Sequence, residues 1–373
     1  MNTLEKLRIL GPSSAYDRCG CECTPREAKK RKRILPSDGI YPASTGDGRR
    51  TLLLKVLQSN ECANDCNYCV NRCGRSVKRA SFEPAELASL FQEYLRRGYV
   101  EGLFLSSGIN HSEDSMERVL ETVSRIRKAG FRGYVHTKIL PGATREQVRE
   151  AAELSTRLSI NIEAPSRARL SELSTQKDYK EDILRRMKWI HDEWKKGRVQ
   201  AGQTTQFIVG ASDETDYEIL DTTNWLIGEM RLSRTYYSAF NPVPDTPLEG
   251  YEKTPAIREH RLYQAEFLIR EYGFKFKNII FQEEGNMPYA MDPKMAYAVH
   301  NLDLFPIDAE DAAFEELLLV PGIGPKTARR ILNLRGEGSG IWKILPKKAI
   351  PFLEMKGKKQ ARLGDFLAEK HIS

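Results

Sequence analysis

Short apolar stretches alternate with longer amphipathic stretches between about residues 50 and 281, and this regular alternation leaves few folds open. The short stretches are rich in β-branched and aromatic residues, which is typical of buried strands. They predict six strands, at residues 51–57, 102–107, 134–140, 158–163, 204–210 and 235–240. The longer stretches repeat apolar residues every three to four positions and predict five helices, at residues 82–98, 115–130, 144–154, 180–197 and 214–230.

Strands that are joined by helices pair in parallel, with right-handed crossovers. The predicted fold class is therefore α/β with six strand–helix units. Six such units suit either an open doubly wound sheet or a barrel, and the periodicity does not separate these two folds.

The regions on either side of this pattern differ from it, so three domains are predicted. Residues 1–49 form an N-terminal extension, rich in Gly, Pro, Ser and charge, that includes the basic run 29–33. Residues 50–290 hold the strand–helix units. Residues 291–373 are predicted to be a small all-α domain, because the strand pattern stops there and short helical patterns replace it.

Composition and charge indicate the cellular context and a class of partner. The chain has no run of the ~18 apolar residues that a membrane span needs and no secretory signal pattern at its start, so a cytoplasmic protein without a membrane is expected. Residues 321–373 carry twelve Lys or Arg and four Asp or Glu, a local net charge of +8 within a total of +7. This basic segment predicts an anionic partner, of which nucleic acid is the commonest.

Three of the seven cysteines form the pattern C-x3-C-x2-C directly after the first predicted strand, at Cys62, Cys66 and Cys69. Clustered cysteines in a reducing compartment indicate a metal site before they indicate disulfides. Three thiolates hold three irons of a four-iron cluster and leave the fourth iron open, whereas a structural zinc site uses four protein ligands. An iron–sulfur cluster is predicted, and zinc is the alternative.

This spacing, with the aromatic Tyr68 just before the last cysteine, resembles the radical S-adenosylmethionine (SAM) superfamily. The resemblance covers about residues 50–290 and implies a partial (β/α)6 barrel similar to a TIM barrel. It also implies a 4Fe-4S cluster that binds SAM at its open iron, and an electron donor such as a flavodoxin or ferredoxin. Reductive cleavage of SAM would produce methionine and a 5′-deoxyadenosyl radical, which removes a hydrogen atom from the substrate.

The resemblance further implies which residues contact SAM. Where the family has Gly-Gly-Glu after the second strand, this chain has Ser-Ser-Gly, so the acidic residue is missing. The implied SAM contacts are Tyr68, Ser106, Ser107, Gly108, Asn161, Glu163, Val209 and Gly210. The catalytic candidates are His136 and Lys138, which share one face of the third predicted strand. A packing or solvent-exposed role is the alternative for each of these positions.

Four cysteines remain outside this pattern, namely Cys19, Cys21, Cys23 and Cys73. The first three form C-x-C-x-C, and Cys73 lies four residues after the C-x3-C-x2-C motif. Together they predict an auxiliary iron–sulfur cluster. A zinc site, or no second site, is the alternative.

The stretch LLLVPGIGPKTARRIL in the basic segment resembles a helix-hairpin-helix motif. Two glycines permit a tight turn, and its N–H groups form an anion seat with the positive end of the following helix. The resemblance implies that this hairpin binds the nucleic-acid backbone through Gly322, Ile323, Gly324, Lys326, Thr327, Arg329 and Arg330. A structural or protein-binding hairpin is the alternative.

Both features together resemble the radical SAM proteins that carry a C-terminal helix-hairpin-helix and are assigned to DNA modification or repair. The predicted function is an enzyme that uses the 5′-deoxyadenosyl radical on a nucleotide or lesion, with DNA favoured over RNA. Three alternatives stay open. They are modification of tRNA or rRNA, action on a peptide or small metabolite, and a non-catalytic nucleic-acid-binding protein whose clusters are structural or sense redox state.

Overall fold

The computed structural model describes residues 1–14, 39–44, 50–110, 114–335 and 340–354. Its largest element is a seven-stranded sheet in which the strands follow one another in sequence order. The strands are β1 Ile40–Ser44, β2 Arg50–Leu57, β3 Gly102–Ser106, β4 Tyr134–Lys138, β5 Arg157–Ser159, β6 Gln203–Val209 and β7 Arg234–Ala239. From β2 to β7 every neighbouring pair is parallel, as the alternation of strands and helices predicted.

Two details of the sheet differ from the prediction. Strand β1 was not predicted, and it pairs antiparallel with β2 at the edge of the sheet, where Pro42 is tolerated. Strand β5 ends at Ser159, although the prediction extended it to residue 163. Residue Glu163 has φ +66°, which is incompatible with a continuing strand, and it keeps only an isolated bridge to Phe207.

The predicted helices are confirmed, with small shifts at their ends. The helices of this part are α1 Thr3–Ser13, α2 Pro84–Arg96, α3 Ser115–Lys128, α4 Arg145–Leu154, α5 Arg167–Leu173, α6 Arg185–Lys195 and α7 Asp216–Met230. Helix α6 continues a π-helical turn, Tyr179–Leu184. Asp114 and Thr144 begin α3 and α4, because their side chains accept hydrogen bonds from otherwise unpaired backbone N–H groups.

The sheet curls into a half-barrel, which confirms the predicted α/β partial barrel. Residues of β2 and β3 such as Leu54, Val56, Leu103 and Leu105 are completely buried and belong to the core. Because the strands from β2 to β7 are parallel, their carboxyl ends meet at one rim, where barrels of this type carry their sites.

The chain divides into two compact units. The first contains residues 1–214 and 225–255, and therefore the whole sheet; the second contains residues 215–224 and 256–373. Helix α7 begins in the second unit and ends in the first. The predicted domain limits of 1–49, 50–290 and 291–373 stay a prediction.

The described part of the second unit is mainly helical. Its helices are α8 Ala256–Tyr272, α9 Pro293–His300, α10 Phe314–Leu319 and α11 Pro325–Asn333, and the short strands β8 Ile307–Asp308 and β9 Leu353–Glu354 pair in parallel. This one strand pair departs from the predicted all-α character. Apolar side chains from both α10 and α11 enter one core with Phe305 and Phe352.

No helix among the described residues has the length and apolar character needed to cross a membrane.

Candidate active site and nucleic-acid interface

A cavity opens at the carboxyl ends of the strands in the first unit, and its space together with the open solvent at its mouth is about 960 Å³. Each strand from β2 to β4, and both β6 and β7, contributes one or two side chains to its wall, namely Leu57, Ser106, Lys138, Gln206, Ile208 and Ser238. Most of the predicted site residues line this same cavity: Cys62, Cys66, Tyr68, Cys69, Ser106, Ser107, Gly108, Lys138, Asn161 and Glu163. The fold therefore brings together residues that are up to a hundred positions apart in sequence.

Two of the predicted SAM contacts are not among the described residues that line the cavity. Val209 is fully buried, and Ile208 lines the cavity instead, because successive side chains of a strand point to opposite faces. Gly210 follows the end of β6 with φ +84°, and its N–H donates to the Glu214 carboxylate. Contacts of Val209 and Gly210 with SAM stay a prediction.

The two catalytic candidates are placed differently. Lys138 lines the cavity, whereas His136 does not belong to its described lining and is only 1% exposed. The His136 ring packs edge-on against Phe104, and its Nε2 lies 2.8 Å from the Ser159 hydroxyl. Burial, with the nearby positive charges of Arg157 and Lys138, lowers the pKa of His136 well below its usual value. His136 is thus a buried neutral histidine in the barrel interior.

Cys62, Cys66 and Cys69 lie on one loop at the cavity wall. Burial raises the pKa of the Cys66 thiol, although the Lys177 ammonium acts in the opposite direction, and burial raises the pKa of Cys69 to about 12. Burial therefore favours the protonated thiols of Cys66 and Cys69 in the free protein, and a metal must displace their protons to bind.

The geometry of these thiols bears on the zinc alternative. Among the described residues, no three His, Cys, Asp or Glu side chains converge closely enough to hold a single metal ion. Two thiolates on one zinc ion are only ~4 Å apart, because a zinc–sulfur bond is about 2.3 Å long. The thiolate ligands of an iron–sulfur cluster bind separate irons, so they do not have to converge on one ion.

The remaining four cysteines are not assembled by the described structure. Cys19, Cys21 and Cys23 lie outside the described residues, as does the basic run 29–33. Cys73 is described as a half-buried free thiol, and its backbone N–H donates to the Asn64 carbonyl.

Polar residues that the cysteine pattern did not reveal hold the loop in place. The Asp65 carboxylate accepts hydrogen bonds from the hydroxyls of Ser174 and Thr175, at 2.6 and 2.5 Å. Burial raises the pKa of Asp65, but these hydrogen bonds outweigh that effect and lower it overall. The Arg79 guanidinium donates to the carbonyls of Asn71 and Arg72 on the far side of the loop. A charged residue on each side therefore fixes the backbone that carries the thiols.

The turn Ser106–Gly108 packs directly against the cysteine loop. The Gly108 N–H donates to the Ser59 carbonyl at 2.7 Å, and the Ala63 N–H donates to the Ile109 carbonyl at the same distance. A Cβ atom added at Gly108 would lie 2.1 Å from the Glu61 carbonyl oxygen and 3.2 Å from Cys62 Cβ. The glycine at this position is required because the loop passes too close for any side chain.

Lys177 was missed by the sequence analysis and is the main cation beside the thiols. Its ammonium lies 3.3 Å from a Glu163 oxygen, and both side chains are over 90% buried. Burial alone lowers the pKa of Lys177, but its electrostatic interactions with Cys66 and Glu163 outweigh burial and raise it. Lys177 lies just before a π-helical turn, and no sequence motif marks it as the C-x3-C-x2-C spacing marks the cysteines. Its role beside the thiols is therefore visible only in the folded chain.

The cavity fits the cluster and the SAM that the sequence implies. Three thiols and a turn of small residues share its wall. Two buried oxygens there, Ser107 Oγ and Glu163 Oε2, have no partner in good hydrogen-bond geometry among the described residues, and the Tyr68 hydroxyl is the group that interacts with the Glu163 carboxylate. An unpaired buried polar atom costs about 1–3 kcal/mol, so both atoms indicate a polar ligand. Such a ligand agrees with the amino, carboxylate and hydroxyl groups of SAM.

Replacing Glu163 by glutamine is expected to destabilise the metal-free protein by about 1–3 kcal/mol, because the Lys177 ammonium loses its buried carboxylate partner. Urea unfolding followed by circular dichroism measures this loss. The matched control is Glu172→Gln, which removes an exposed carboxylate 3.6 Å from Arg169 and is expected to change stability by less than about 0.5 kcal/mol. Equal effects of the two substitutions would contradict the ion pair.

The second unit forms the predicted hairpin. Helix α10 ends at Leu319, and α11 begins at Pro325 after a turn in which Gly322 adopts φ +87°. The residues that face inward, Ile323, Ala328 and Ile331, are almost completely buried, as the apolar pattern indicated. The cationic residues Lys326, Arg329 and Arg330 are exposed, and Thr327 is half-buried. The hairpin therefore presents these charges to solvent along α11, from Lys326 in its first turn to Arg330 in its last turn.

Both units match known family models. Residues 56–226 match the radical SAM superfamily, and residues 308–334 match the helix-hairpin-helix motif. The first match includes the cysteine loop and the strands from β3 to β6. The second includes α10, the turn and α11. The two matches confirm the two resemblances found in the sequence. No curated protein matches the chain in sequence.

Several solved structures are similar in fold, at low identity. The FeFe-hydrogenase maturase HydG has 15% identity and a TM-score of 0.48, over 57% of this chain and 48% of HydG. The methylornithine synthase PylB has 13% identity and a TM-score of 0.46, over 57% of this chain and 61% of PylB. The coproporphyrinogen III oxidase HemN from Escherichia coli has 13% identity and a TM-score of 0.37, over 55% of this chain and 49% of HemN.

This chain therefore aligns with about half of the length of HydG and of HemN. Similarities of this size say nothing about the substrate of this chain.

Proposed function

We propose that this chain, a radical SAM superfamily enzyme with a helix-hairpin-helix motif near its C-terminus, modifies or repairs nucleic acid, with DNA favoured over RNA. The observation that carries the proposal is the presence in one chain of a thiol-lined cavity and a cationic hairpin. The first unit supports the radical chemistry, and the second supports the class of substrate.

In the first unit, Cys62, Cys66 and Cys69 would hold a 4Fe-4S cluster. The cluster, reduced by a donor such as a flavodoxin or ferredoxin, supplies the electron that cleaves SAM to methionine and a 5′-deoxyadenosyl radical. The unpaired oxygens of Ser107 and Glu163 are suited to accept hydrogen bonds from SAM.

Two lysines give the same cavity its positive charge. Lys177 compensates the thiolates, because it is a buried ammonium next to Cys66. Lys138 lines the cavity wall at the end of β4, where a cation suits an anionic group such as a nucleotide phosphate.

In the second unit, the hairpin would bind the phosphate backbone. Lys326, Arg329 and Arg330 are exposed along α11, within the segment of local charge +8. Phosphate contacts position a protein on nucleic acid but do not read the base. Selection of the target nucleotide would then fall to the cavity of the first unit.

Incubation of the reconstituted protein with SAM and a reductant under anaerobic conditions tests the enzymatic part of the proposal. We expect 5′-deoxyadenosine and methionine, and a change in the nucleosides of an added DNA duplex detected by mass spectrometry. A change confined to added RNA would redirect the proposal to RNA modification. Absence of 5′-deoxyadenosine with and without nucleic acid would support a non-catalytic protein.

The double substitution Lys326→Ala with Arg330→Ala is expected to weaken binding of a DNA duplex by about tenfold to a hundredfold at low salt. Loss of two phosphate contacts should also lower the slope of log affinity against log salt by about 2. Fluorescence anisotropy at several salt concentrations measures both effects. The matched control removes two other exposed lysines of the second unit, Lys275 and Lys277, and should leave the slope nearly unchanged. An unaltered slope in the first variant would exclude phosphate binding by the hairpin.

We also propose that Cys73 and the C-x-C-x-C cysteines hold an auxiliary iron–sulfur cluster. The support is the number of cysteines near the SAM-cluster motif, since this family match accounts for only three of seven. The iron content of the Cys73→Ala variant tests this second cluster.

A further inference from the structure

The second unit buries a lysine directly behind the hairpin turn. Lys294 belongs to the first turn of α9 and is only 7% exposed. Its Nζ donates a hydrogen bond to the carbonyl oxygen of Ile323, the central residue of the Gly-Ile-Gly turn. A backbone carbonyl on the inner side of the turn is thus held by an ammonium group.

Tyr272, the last residue of α8, connects this lysine with the same turn. The Lys294 Nζ lies 5.0 Å from the centre of the Tyr272 ring. The Tyr272 hydroxyl lies so close to Gly324 that a Cβ there would be 2.7 Å away. The lysine, the aromatic ring and the turn are therefore in direct contact, so a displacement of one of them displaces the others.

Asp292, the carboxylate that acts on Lys294, is hydrogen-bonded to other groups. Asp292 accepts hydrogen bonds from the Met295 N–H at 2.9 Å and from the Lys348 ammonium at 3.0 Å. Among the described residues, Lys294 itself forms no ion pair with a carboxylate. Its charge is compensated only by a carbonyl dipole, an aromatic ring and a more distant Asp292.

A buried ammonium with so little compensation loses its proton readily. Burial lowers the pKa of Lys294 to about 7, with a further lowering by Lys348 and an opposing effect of Asp292. A negative charge placed near the turn favours the protonated form and would raise this pKa. An anion on the outer side of the turn therefore supplies the compensation that the protein does not.

We propose that Lys294 is the internal cation of the phosphate-binding hairpin, and that binding of a nucleic-acid phosphate at the turn is coupled to uptake of a proton by Lys294. This inference rests on the proposed function of the hairpin. Coupling of this kind is reciprocal, so protonation of Lys294 must strengthen binding by the same factor by which bound phosphate favours protonation.

Tyr272 and Asp292 are the two other groups around Lys294 with shifted pKa values. Burial and the charge of Glu271 raise the pKa of Tyr272. Burial raises the pKa of Asp292, but the hydrogen bonds from Lys348 and Met295 outweigh it and lower the pKa overall. Lys348 faces Lys294 from the 3-10 helix Lys347–Phe352, and Arg261 acts on Asp292 from α8. The pKa shifts of Tyr272 and Asp292 move them away from neutral pH, whereas the shift of Lys294 moves it toward neutral pH.

Calorimetric titration of the full chain with a short DNA duplex, in two buffers of different ionisation enthalpy, counts the protons taken up on binding. For the wild-type protein we expect uptake of a fraction of a proton near pH 7.5. We also expect affinity to fall by about threefold to tenfold from pH 6.5 to 8.5, since a shift of one pKa unit corresponds to tenfold.

The variant Lys294→Met keeps the length of the side chain and removes its charge. Its affinity should equal that of the wild-type protein at high pH, and both its pH dependence and its proton uptake should be lost. The control Lys343→Met removes an exposed lysine of the same unit and should keep the wild-type pH profile.

An unchanged pH profile in Lys294→Met, or the absence of proton uptake by the wild-type protein, would overturn this inference. If circular dichroism shows that Lys294→Met does not fold, the wild-type proton count decides alone. If Lys326→Ala with Arg330→Ala loses binding but the wild-type protein takes up no proton on binding, the role of Lys294 is rejected and phosphate binding by the hairpin is retained. Absence of any duplex binding would overturn both proposals.

Discussion

Replacing Cys66 by alanine is expected to abolish formation of 5′-deoxyadenosine from SAM, with a loss of more than about a hundredfold. Substitution of residues that only support metal ligands already costs 10- to 100-fold, and removal of a ligand costs more. Cys66 has the smallest exposed fraction of the three loop cysteines and lies beside the Lys177 ammonium, so no solvent thiol can easily replace it. Iron quantitation and chromatographic assay of 5′-deoxyadenosine measure the two consequences.

The matched control for this experiment is Cys73→Ala, which removes a thiol seven residues further along the same segment. This variant should retain SAM cleavage, because Cys73 does not line the cavity among the described residues. If the auxiliary cluster exists, the iron content of the Cys73→Ala protein should be lower than that of the wild-type protein by up to about four irons per chain. An unchanged iron content would remove Cys73 from the proposed second cluster. Loss of SAM cleavage in Cys73→Ala but not in Cys66→Ala would contradict the assigned ligands.

Replacing Gly108 by alanine is expected to destabilise the protein by about 2–3 kcal/mol and to impair binding of the cluster. The added Cβ would lie 2.1 Å from the Glu61 carbonyl oxygen, whereas carbon–oxygen contacts are normally about 3.3–3.6 Å. Overpacking of this kind costs about 1–3 kcal/mol or more. Because Glu61 immediately precedes Cys62, the backbone movement that relieves the clash displaces a cluster ligand. Urea unfolding and iron quantitation measure the two effects.

The control substitution is Gly250→Ala in the same unit. A Cβ at Gly250 would have no atom within 4 Å, so stability should change by less than about 0.5 kcal/mol. If Gly108→Ala binds the cluster as well as the Gly250→Ala protein does, the turn Ser106–Gly108 does not determine the position of the cysteine loop.

Much of the fold was predictable because strands and helices leave local periodic signals. The six parallel strands and five of the six α-helices between them were found from the sequence pattern, whereas helix α5, Arg167–Leu173, was missed. Strand β1 was missed, because its sequence IYPAS contains a proline and is too short to show alternation. The end of β5 was misplaced, since nothing in the sequence LSINIE indicates the left-handed backbone of Glu163.

The candidate site was predictable only where a motif marks it. The cysteine loop and the glycines of the hairpin carry recognisable spacing, and the structure places both groups of residues together within their own unit. The choice between Val209 and Ile208 depended on which face of β6 turns toward the cavity. That choice depends on strand register, which a shift of one residue reverses.

Lys177 and Lys294 are the clearest examples of functional candidates that only the tertiary structure identifies. In the amino-acid sequence each is one lysine among many, with no spacing that separates it from a solvated one. Tertiary contacts bury the first beside Glu163 and Cys66, and the second behind the Ile323 carbonyl. The sequence was sufficient for the α/β architecture, the cluster motif and the hairpin, because local patterns encode them. Burial decided the chemistry of individual charges, because the energy of a charge depends on all the groups that surround it in space.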